Sequence, residues 1–362
     1  MFDPSKFRDK NQIRAVSDQI HRISNRNIRL MEVCGGHTAA IHRYGLLSLL
    51  PGTISLLSGP GCPVCVSGQT MIDRAVALSQ QPNVVITSYG DVIRVPGSSS
   101  SLENERGQGG DVRVVYSISE ALKIARNNPL KKVVFVGIGF ETSAPASAWA
   151  IKEAMEHGIK NFFLLSSHKI MPPALEALLK DGAAVDGFIA PGHVSAITGW
   201  GMYRPLVERY KIGIVVSGFE PLDIMQSILM LVRQLEEKNP SVGNQYARVV
   251  TEHGNRKALE LLDNTFQYRD DDWTGLGIIP KSGLGLKPLY TSLDAEQAFP
   301  VKVISQPEPK GCLCGEILRG LKRPADCSLF GKRCTPDKPV GACMVSPEGT
   351  CSIHYHYNRD RS

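Results

Sequence analysis

The length, composition and charge of the chain describe a globular protein of more than one domain. Its 362 residues exceed one ordinary hydrophobic core and predict two or three domains. The net charge of +6 comes from 41 Lys and Arg scattered among 35 acidic residues, which argues against binding of nucleic acid. The chain lacks an 18-residue apolar run and begins with the polar MFDPSKFRDKNQ, so we expect no membrane span, no signal peptide and a cytoplasmic location.

A helix and a short buried strand are the first predicted elements. Ile13, Val16, Ile20 and Ile23 recur at helical spacing and predict an amphipathic helix over about residues 4–23. The run IRLMEVCGG predicts a strand that ends in a glycine turn, and TAAIHRYGLLSLL predicts a helix after that turn.

The chain from about residue 53 to 222 alternates short strands with helices. The predicted strands are TISLLSG, NVVITSYGD, VRVVYS, KKVVFVGIGF, NFFLLSS, VDGFIAPG and IGIVVSGF. Helical segments such as SISEALKIARNN and ASAWAIKEAMEHG separate most of them, and this alternation predicts parallel α/β sheets. The polar break ARNNPLKK at 125–132 has three or four strands on either side, so we expect two sheets, in similar halves.

The nine cysteines are unevenly placed. Three lie in the first fifth of the chain and six in the last fifty residues. A reducing compartment and an odd count favour metal binding or redox chemistry over a disulfide framework. The loop-rich chain after about residue 270 also needs something besides a large apolar core to hold it.

Four tail cysteines have the spacing C-x12-C-x6-C-x16-C: Cys314, Cys327, Cys334 and Cys351. Four thiolates suit tetrahedral zinc or an iron–sulfur cluster. The tail has no CxxC, and widely spaced single cysteines favour a cluster, in which each thiolate binds a different iron, although zinc and unliganded thiols remain open. We expect Cys312 to be a spare thiol and Cys343 a packed residue.

The front cysteines follow predicted strands. Cys62 and Cys65 form a CxxC before a helix, where a disulfide, thiol–disulfide exchange or metal capture are all possible roles. Cys34 ends another strand and is followed by two glycines and His37. If both turns lie at the carboxyl edge of a sheet, the three thiols converge on one cleft. His37 is either part of that site or structural.

Further polar residues at strand ends are candidates for the same cleft: Asp91, Arg94, Glu141, Thr142, His193 and Glu220. Each of these residues could equally cap a helix or stabilise a loop. The chain has no Walker A motif, and GIGFET lacks the third glycine of a dinucleotide fingerprint.

The motifs taken together resemble those of a known family along essentially the whole chain. These motifs are EVCGGHT, GPGCPVC, YGDVIRVPG, GFET, APGHVS, GFEPLD, GNQYARVV, CGEIL and MVSPEGTC. They are similar to the HypD family of [NiFe] hydrogenase maturation factors. The resemblance implies a scaffold that holds iron while the Fe(CN)2(CO) group is assembled. It also implies two partners, a HypC-type small chaperone and a HypE-type cyanide donor.

The resemblance implies a role for each cysteine motif. Cys34 would bind iron with His37 beside it, and Cys62 and Cys65 would be a redox-active or iron-binding pair. The four spaced tail cysteines would hold a [4Fe-4S] cluster that passes electrons toward the CxxC. Many family members read CGGHTH, whereas this chain has Ala39 at the second histidine, so any role of that imidazole is absent or supplied elsewhere.

The resemblance also implies a domain organisation. We expect an N-terminal segment, 1–48, to pack with a C-terminal [4Fe-4S] domain, 223–362, and two α/β domains to occupy 49–126 and 127–222. Two other functions remain open: a cluster-dependent thiol–disulfide oxidoreductase acting on protein disulfides, and a binding module with structural zinc.

Overall fold

The computed structural model describes residues 4–303 and 309–357 and contains two β-sheets flanked by helices. The strands are β1 (Ile28–Glu32), β2 (Ile54–Ser58), β3 (Val84–Ser88), β4 (Val112–Val114), β5 (Lys132–Gly139), β6 (Phe162–Lys169), β7 (Gly187–Pro191), β8 (Gly213–Ser217), β9 (Val242–Asn244), β10 (Phe266–Trp273) and β11 (Gly277–Leu286).

The helices of the described residues fall between and after these strands. They are α1 (Lys10–Ile23), α2 (Gly35–Arg43), α3 (Pro63–Val66), α4 (Gln69–Ser79), α5 (Leu102–Gly107), α6 (Ile118–Asn127), α7 (Ala144–Glu156), α8 (Met171–Lys180), α9 (Gly192–Thr198), α10 (Arg204–Tyr210), α11 (Pro221–Glu236), α12 (Arg256–Thr265), α13 (Ala295–Ala298), α14 (Cys314–Leu318) and α15 (Thr350–Tyr357). Short 3-10 turns lie at Pro4–Arg8, Leu46–Leu49, Val92–Arg94, Trp200–Tyr203, Pro288–Leu293, Pro324–Asp326 and Ala342–Met344.

Sheet A, with the strand order β2-β1-β7-β8-β9, is parallel throughout. Sheet B has the order β10-β11-β6-β5-β3-β4; its β6, β5, β3 and β4 are parallel, and the hairpin β10–β11 joins β6 antiparallel. One large hydrophobic core contains side chains from both sheets and from the cysteine-rich tail. The predicted α/β class with parallel sheets is confirmed.

Local sequence explains where the first helix forms. The Asp9 carboxylate accepts the backbone N–H groups of Asn11 and Gln12 at 2.8 and 2.9 Å, which caps the N-terminus of α1. Ile13, Val16 and Ile20 then lie on its buried face. The predicted helix was longer, because residues 4–8 form a separate 3-10 turn.

All seven predicted strands between 53 and 222 are present, as β2 to β8. The division between the sheets differs from the expectation drawn from the polar break at 125–132. That break is the end of α6 and a loop before β5, and β5 pairs with β3 in the same sheet. The Asn161 side-chain amide donates to the carbonyls of Ala125, Asn128 and Lys131, so the polar residues form an ordered turn rather than a boundary between sheets.

None of the helices in the described part of the chain is long and apolar enough to span a membrane.

Candidate functional site

Cys34 lies where β1 meets α2, at the carboxyl edge of the parallel sheet A. It is the N-cap residue of α2, and its backbone N–H donates to the Glu32 carboxyl at 3.2 Å. The Gly35 N–H donates to the carbonyl of Gly61, in the loop after β2, at 3.4 Å. A Cβ on Gly61 would lie 2.2 Å from the Cys34 backbone nitrogen, so only glycine lets the two loops approach this closely.

Glu32 is a buried carboxyl that organises this turn. Its oxygens accept the Thr38 hydroxyl and the Cys34 N–H. Burial raises the pKa of Glu32 to about 8, although hydrogen bonds from Thr38, Ser58 and Cys34 oppose that rise. At neutral pH the group is therefore mostly protonated.

The Cys34 thiol is partly buried and remains protonated at neutral pH. Burial, together with the nearby charge of Glu348, raises the pKa of this thiol to about 12. Its position at a helix N-terminus would normally favour the thiolate, but here the cost of desolvation is the larger effect. A bound cation would reverse that balance, because metal coordination deprotonates a thiol.

His37 is fully buried in the first turn of α2 and has a defined tautomer. Its Nε2 lies 3.3 Å from the Ser217 carbonyl and 3.1 Å from the Gly218 carbonyl, so Nε2–H must be the donor. Nδ1 has no hydrogen-bond partner among the described residues. Burial lowers the pKa of His37 to about 4, so the imidazole is neutral.

An aromatic stack extends from His37 across the edge of sheet A. The Phe219 ring follows β8 and stacks on His37 with ring centroids 4.7 Å apart. His193, which follows β7, also stacks on the Phe219 ring, with ring centroids 3.9 Å apart. Phe219 therefore contacts two histidines that follow different strands, and the parallel topology brings all three strand ends to one edge of the sheet.

Cys62 and Cys65 are bonded as a disulfide, with Cα atoms 5.2 Å apart. Both are buried at the start of α3, which begins at Pro63. Cys62 adjoins Gly61, so the disulfide lies one residue from the loop that contacts Cys34. On its other side, the Cys65 sulfur lies 4.0 Å from the Ala342 carbonyl in the tail.

The tail brings all six of its cysteines to one small cavity, with a volume of about 10 Å³: Cys312, Cys314, Cys327, Cys334, Cys343 and Cys351. Cys343 is 1% exposed, and its sulfur lies 2.8 Å from that of Cys314. Cys312 is only partly buried. Within residues 4–303 and 309–357, no three His, Cys, Asp or Glu side chains are arranged as ligands of a single metal ion.

The other polar candidates fall into separate places. His193 belongs to the aromatic stack near Cys34. Arg94 donates to the Pro336 carbonyl and so ties its loop to the tail. Glu220 pairs with Arg8, with nitrogen and oxygen 2.5 Å apart. Glu141 accepts the Met171 N–H at the start of α8, at 2.9 Å.

Sequence reasoning did not identify three residues that shape these thiol environments, Glu32, Phe219 and Glu348. It treated Cys343 as a packed residue and did not place it beside Cys314. Glu32 could have been recognised from the sequence, because burying a carboxyl at the end of a mostly buried strand is costly unless it is hydrogen-bonded. Glu348 could not be found, since only folding brings its backbone against Gly35, where an added Cβ would lie 2.3 Å from the Glu348 carbonyl oxygen.

The fold and the sites define a two-sheet α/β protein with thiols grouped at one sheet edge and in a cysteine-rich tail. Residues 11–358 match the HypD family, described as "Hydrogenase formation hypA family". The chain is 45% identical over 366 residues to the hydrogenase expression/formation protein HupD of Azotobacter chroococcum, covering 98% of this chain and 97% of that protein. It is also 45% identical over 367 residues to the hydrogenase maturation factor HypD of Rhizobium leguminosarum, covering 98% and 95%.

A third relative, the hydrogenase maturation factor HypD of Cupriavidus necator, is 44% identical over 338 residues, covering 91% of this chain and 89% of that protein. The chain belongs to the HypD family of hydrogenase maturation factors. This membership implies that it works with other maturation proteins.

Proposed function

We propose that the protein is the scaffold on which the Fe(CN)2(CO) group of [NiFe] hydrogenases is assembled, with Cys34 as the thiol that binds the iron. The observation that carries this proposal is the meeting of Cys34, the Cys62–Cys65 disulfide and the His37 stack at one edge of sheet A. Soft thiolate ligands suit iron that carries cyanide and carbon monoxide.

The environment of Cys34 supports reversible binding of this substrate. The thiol is neutral when nothing is bound, so the empty site carries no exposed thiolate that an oxidant would attack. Arrival of an iron cation favours loss of the thiol proton. Glu32 holds the turn through the Cys34 N–H, which keeps the sulfur at a fixed place on the sheet edge.

His37 would act by holding the turn and the aromatic stack in place. Its Nε2–H is committed to two backbone carbonyls, which leaves Nδ1 as its free acceptor. The Phe219 ring beside it supplies an apolar wall, since it lies close enough to Gly36 that an added Cβ there would sit 3.1 Å from the ring. An apolar wall suits uncharged diatomic ligands such as carbon monoxide.

Cys62 and Cys65 would serve as the redox pair of the site. A disulfide can accept two electrons and become a dithiol, and either thiol could then share the iron with Cys34. Release of cyanide from a thiocyanate group requires such electrons. The short path from Cys65 to the tail turn at 342–344 supports an electron route between the two cysteine groups.

Cys314, Cys327, Cys334 and Cys351 would hold a [4Fe-4S] cluster. The donor set fits, because each of four irons takes one thiolate and the four residues all border one cavity. That cavity is small, so the thiols must separate to admit a cluster. When bound, the cluster would supply single electrons.

The partners that fit this role are a HypC-type small chaperone, which would bring a second thiol to the iron, and a HypE-type cyanide donor. Packing of α2 against α15 supports a structural unit formed by the N-terminal segment and the tail. The boundaries at 48, 126 and 222 and the cytoplasmic location stay predictions.

The direct test is infrared spectroscopy of the protein purified without oxygen together with its HypC-type partner. We expect cyanide and carbon monoxide stretches in the wild type and their loss in Cys34→Ala. Cys312→Ala is the matched control, because Cys312 is a partly buried thiol outside both proposed ligand sets, and it should keep the bands. Intact bands in Cys34→Ala would refute the role of Cys34.

A thiol–disulfide oxidoreductase acting on protein disulfides is the second candidate, and the Cys62–Cys65 disulfide favours it. It requires turnover of a disulfide substrate by reduced protein that carries no diatomic ligands. Both cysteines are buried, which hinders a protein substrate from reaching them. Turnover that is abolished in Cys62→Ser and unaffected in Cys34→Ala would favour this candidate over the scaffold.

A further inference from the structure

Gln245 is a polar side chain at the carboxyl edge of sheet A. The residue directly follows β9, and its backbone N–H donates to the Val216 carbonyl of β8 at 2.9 Å. Its side-chain amide contacts the turn after β8, because Oε1 accepts the Gly218 N–H at 3.1 Å. Gln245 thereby ties the edge strand β9 to the turn whose carbonyls accept the His37 Nε2–H.

The Gln245 amide has one defined orientation. Its Nε2 donates to Oδ1 of Asp223 at 2.8 Å and to Oε1 of Gln226 at 2.9 Å. A carboxylate without a proton can only accept, so the amide nitrogen faces Asp223 and the amide oxygen faces Gly218. Both amide hydrogens and the amide oxygen are therefore used within the protein.

Asp223 anchors this amide. Its side chain is completely buried, and the Arg248 guanidinium donates to both carboxylate oxygens at 2.8 and 2.5 Å. The Glu220 N–H donates to Oδ2 of Asp223 at 3.2 Å. A bidentate arginine partner holds a carboxylate in a fixed plane. The position of the Gln245 amide is thus set by a charged pair and not by a mobile surface contact.

The turn at Ser217 and Gly218 connects this anchor to His37. Gly218 is buried, and its N–H is accepted by Gln245 while its carbonyl accepts from His37 at 3.1 Å. Without the Gln245 oxygen, the Gly218 N–H would be a buried donor without an acceptor, which is costly. We expect the turn to rotate in search of a new acceptor, and its carbonyls would then leave the His37 ring.

His37 in turn positions the backbone around the Cys34 sulfur. The ring belongs to the first turn of α2, so a fixed ring fixes that turn. The backbone N–H groups of Gly36 and His37 interact with the Cys34 sulfur and lower the pKa of the thiol, against the larger effect of burial. Hydrogen bonds to a sulfur ligand are one means by which proteins tune a bound iron.

We propose that Gln245 is a positioning residue of the iron site: it holds the turn at Ser217 and Gly218, the turn holds the His37 ring, and the ring holds the start of α2 against the Cys34 sulfur. This role rests on the proposed function, in which Cys34 binds the iron. Gln245 acts only through Gly218 and His37, because its own amide is already occupied by protein partners.

The first experiment measures the His37 ring in the full-length protein without any partner. The nine histidines are labelled with nitrogen-15, and the His37 signal is assigned by its loss in His37→Gln. We expect the Nε2–H tautomer in the wild type, and exchange of that hydrogen with water roughly tenfold faster in Gln245→Met, because the turn opens more often. An unchanged exchange rate in Gln245→Met would overturn the link between Gln245 and His37.

Gln234→Met is the matched control. Gln234 is also half-buried, and its Oε1 accepts a backbone N–H at the same distance of 3.1 Å, that of Ser241. Ser241 precedes β9, so this contact lies at the opposite end of the strand from Gln245. Gln234→Met should keep the wild-type exchange rate at His37. Equal acceleration in both variants would indicate a general loosening of sheet A and contradict the proposed link.

The second experiment measures the iron site by infrared spectroscopy of the protein with its HypC-type partner. Gln245→Met keeps Cys34 and should keep the cyanide and carbon monoxide bands. Its carbon monoxide stretch should move to lower wavenumber, because weaker N–H contacts to the sulfur leave more electron density on the iron. Gln234→Met should keep the wild-type frequency.

The infrared outcomes separate the two proposals. Absence of the bands from the wild type would refute the scaffold function, and the positioning role with it. Bands that are present in the wild type and do not move in Gln245→Met would refute the positioning role alone.

Gln245→Asn provides a second variant if Gln245→Met folds poorly. It keeps the amide but is one methylene shorter, so it cannot contact Gly218 and Asp223 together in the same way. We expect the same changes in His37 exchange and in the carbon monoxide stretch, at a smaller size. A wild-type exchange rate at His37 in folded Gln245→Asn would contradict the role of the Gln245 amide.

Discussion

The two groups of cysteines in this protein are held in place by different means. Cys34 and the Cys62–Cys65 disulfide follow β1 and β2, so the hydrogen bonds of a parallel sheet fix their backbones. The six tail cysteines lie on short helices and turns, with little regular structure around them. The front site should therefore keep its shape when no metal is bound, whereas under the proposed function the tail would need its thiols to be bridged by the cluster.

The same contrast explains what each region can do. A sheet edge that is folded before a metal binds can bind and release a substrate, because its folding does not depend on the energy of binding. A tail whose folding depends on a metal group holds that group permanently. The predictions below test this division, beginning with the largest effect.

Replacing a tail ligand should disrupt the tail and leave the sheets folded. We expect Cys327→Ser to lose the iron and sulfide of about one cluster and to destabilise the tail by more than about 3 kcal/mol, because under the proposed function the binding energy of the cluster stabilises the folded tail. Iron and sulfide analysis and limited trypsin digestion measure the effect. Cys312→Ser should retain wild-type iron. Full iron content in Cys327→Ser would show that Cys327 is not a ligand of the cluster.

Crowding the sheet edge should damage the front site without affecting the tail. Gly61→Ala places a Cβ 2.2 Å from the Cys34 nitrogen, and we expect a loss of about 2–4 kcal/mol in the free energy of unfolding. Gly52→Ala is the control, since a Cβ there meets nothing within 4 Å. Urea titration measures both. The prediction fails if the two variants unfold at the same urea concentration.

Acid should destabilise the sheets through a buried imidazole. The His168 Nε2 lies 2.8 Å from the Ser147 hydroxyl, and burial lowers the pKa of His168 from about 6.5 in the unfolded chain to about 3. Below pH 6.5 the unfolded chain therefore binds a proton that the folded protein excludes, and this stability is lost as the pH falls toward 3.

Between pH 6 and 4, His168 should cost the wild type about 1.4 kcal/mol of unfolding free energy for each pH unit. We expect His168→Gln to abolish this contribution. Tryptophan fluorescence measures unfolding of the sheets, because Trp149, Trp200 and Trp273 all precede the cysteine-rich tail. The exposed His157 gives the control variant His157→Gln, which should keep the wild-type slope. An unchanged slope in His168→Gln would show that another group carries the acid sensitivity.

The smallest effect should come from the contact between the two regions. Glu348 is a tail residue whose carboxylate contributes to the raised pKa of Cys34. Glu348→Gln removes that charge, and we expect iodoacetamide to modify Cys34 roughly two to five times faster at pH 8. Peptide mass spectrometry measures the rate at Cys34 alone. Glu316→Gln, also in the tail, should leave the rate unchanged, and an equal increase in both would exclude a local cause.

The sequence predicted the elements of this fold better than their assembly. The seven strands from β2 to β8 follow from runs of β-branched residues, and β1 follows from IRLME. The hairpin β10–β11 was not predicted, because Phe266 to Trp273 carries a string of charged residues on a partly exposed edge strand. Pairing of β1 with β7 joins residues more than 150 positions apart, and local patterns carry no information about such contacts.

The roles of the predicted site residues stay predictions, whereas their positions can be compared with the structure. Glycine turns after strands located Cys34 and the CxxC at the sheet edge. Spacing indicated the tail thiols, but the placement of Cys343 beside Cys314 depends on the turn at 342–344, which no periodic pattern marks. Glu32 and Glu348 act through burial and charge, which only the folded structure provides.

The order in which the chain visits the two sheets has a consequence for biosynthesis. The chain starts sheet A with β1 and β2, passes through four strands of sheet B, returns to finish sheet A with β9 and ends in sheet B. As the ribosome releases the N-terminus first, Cys34 and the CxxC emerge long before β7 can pair with β1. The front thiols are therefore synthesised before sheet A can be completed, since the last strand of that sheet in the chain, β9, ends at Asn244.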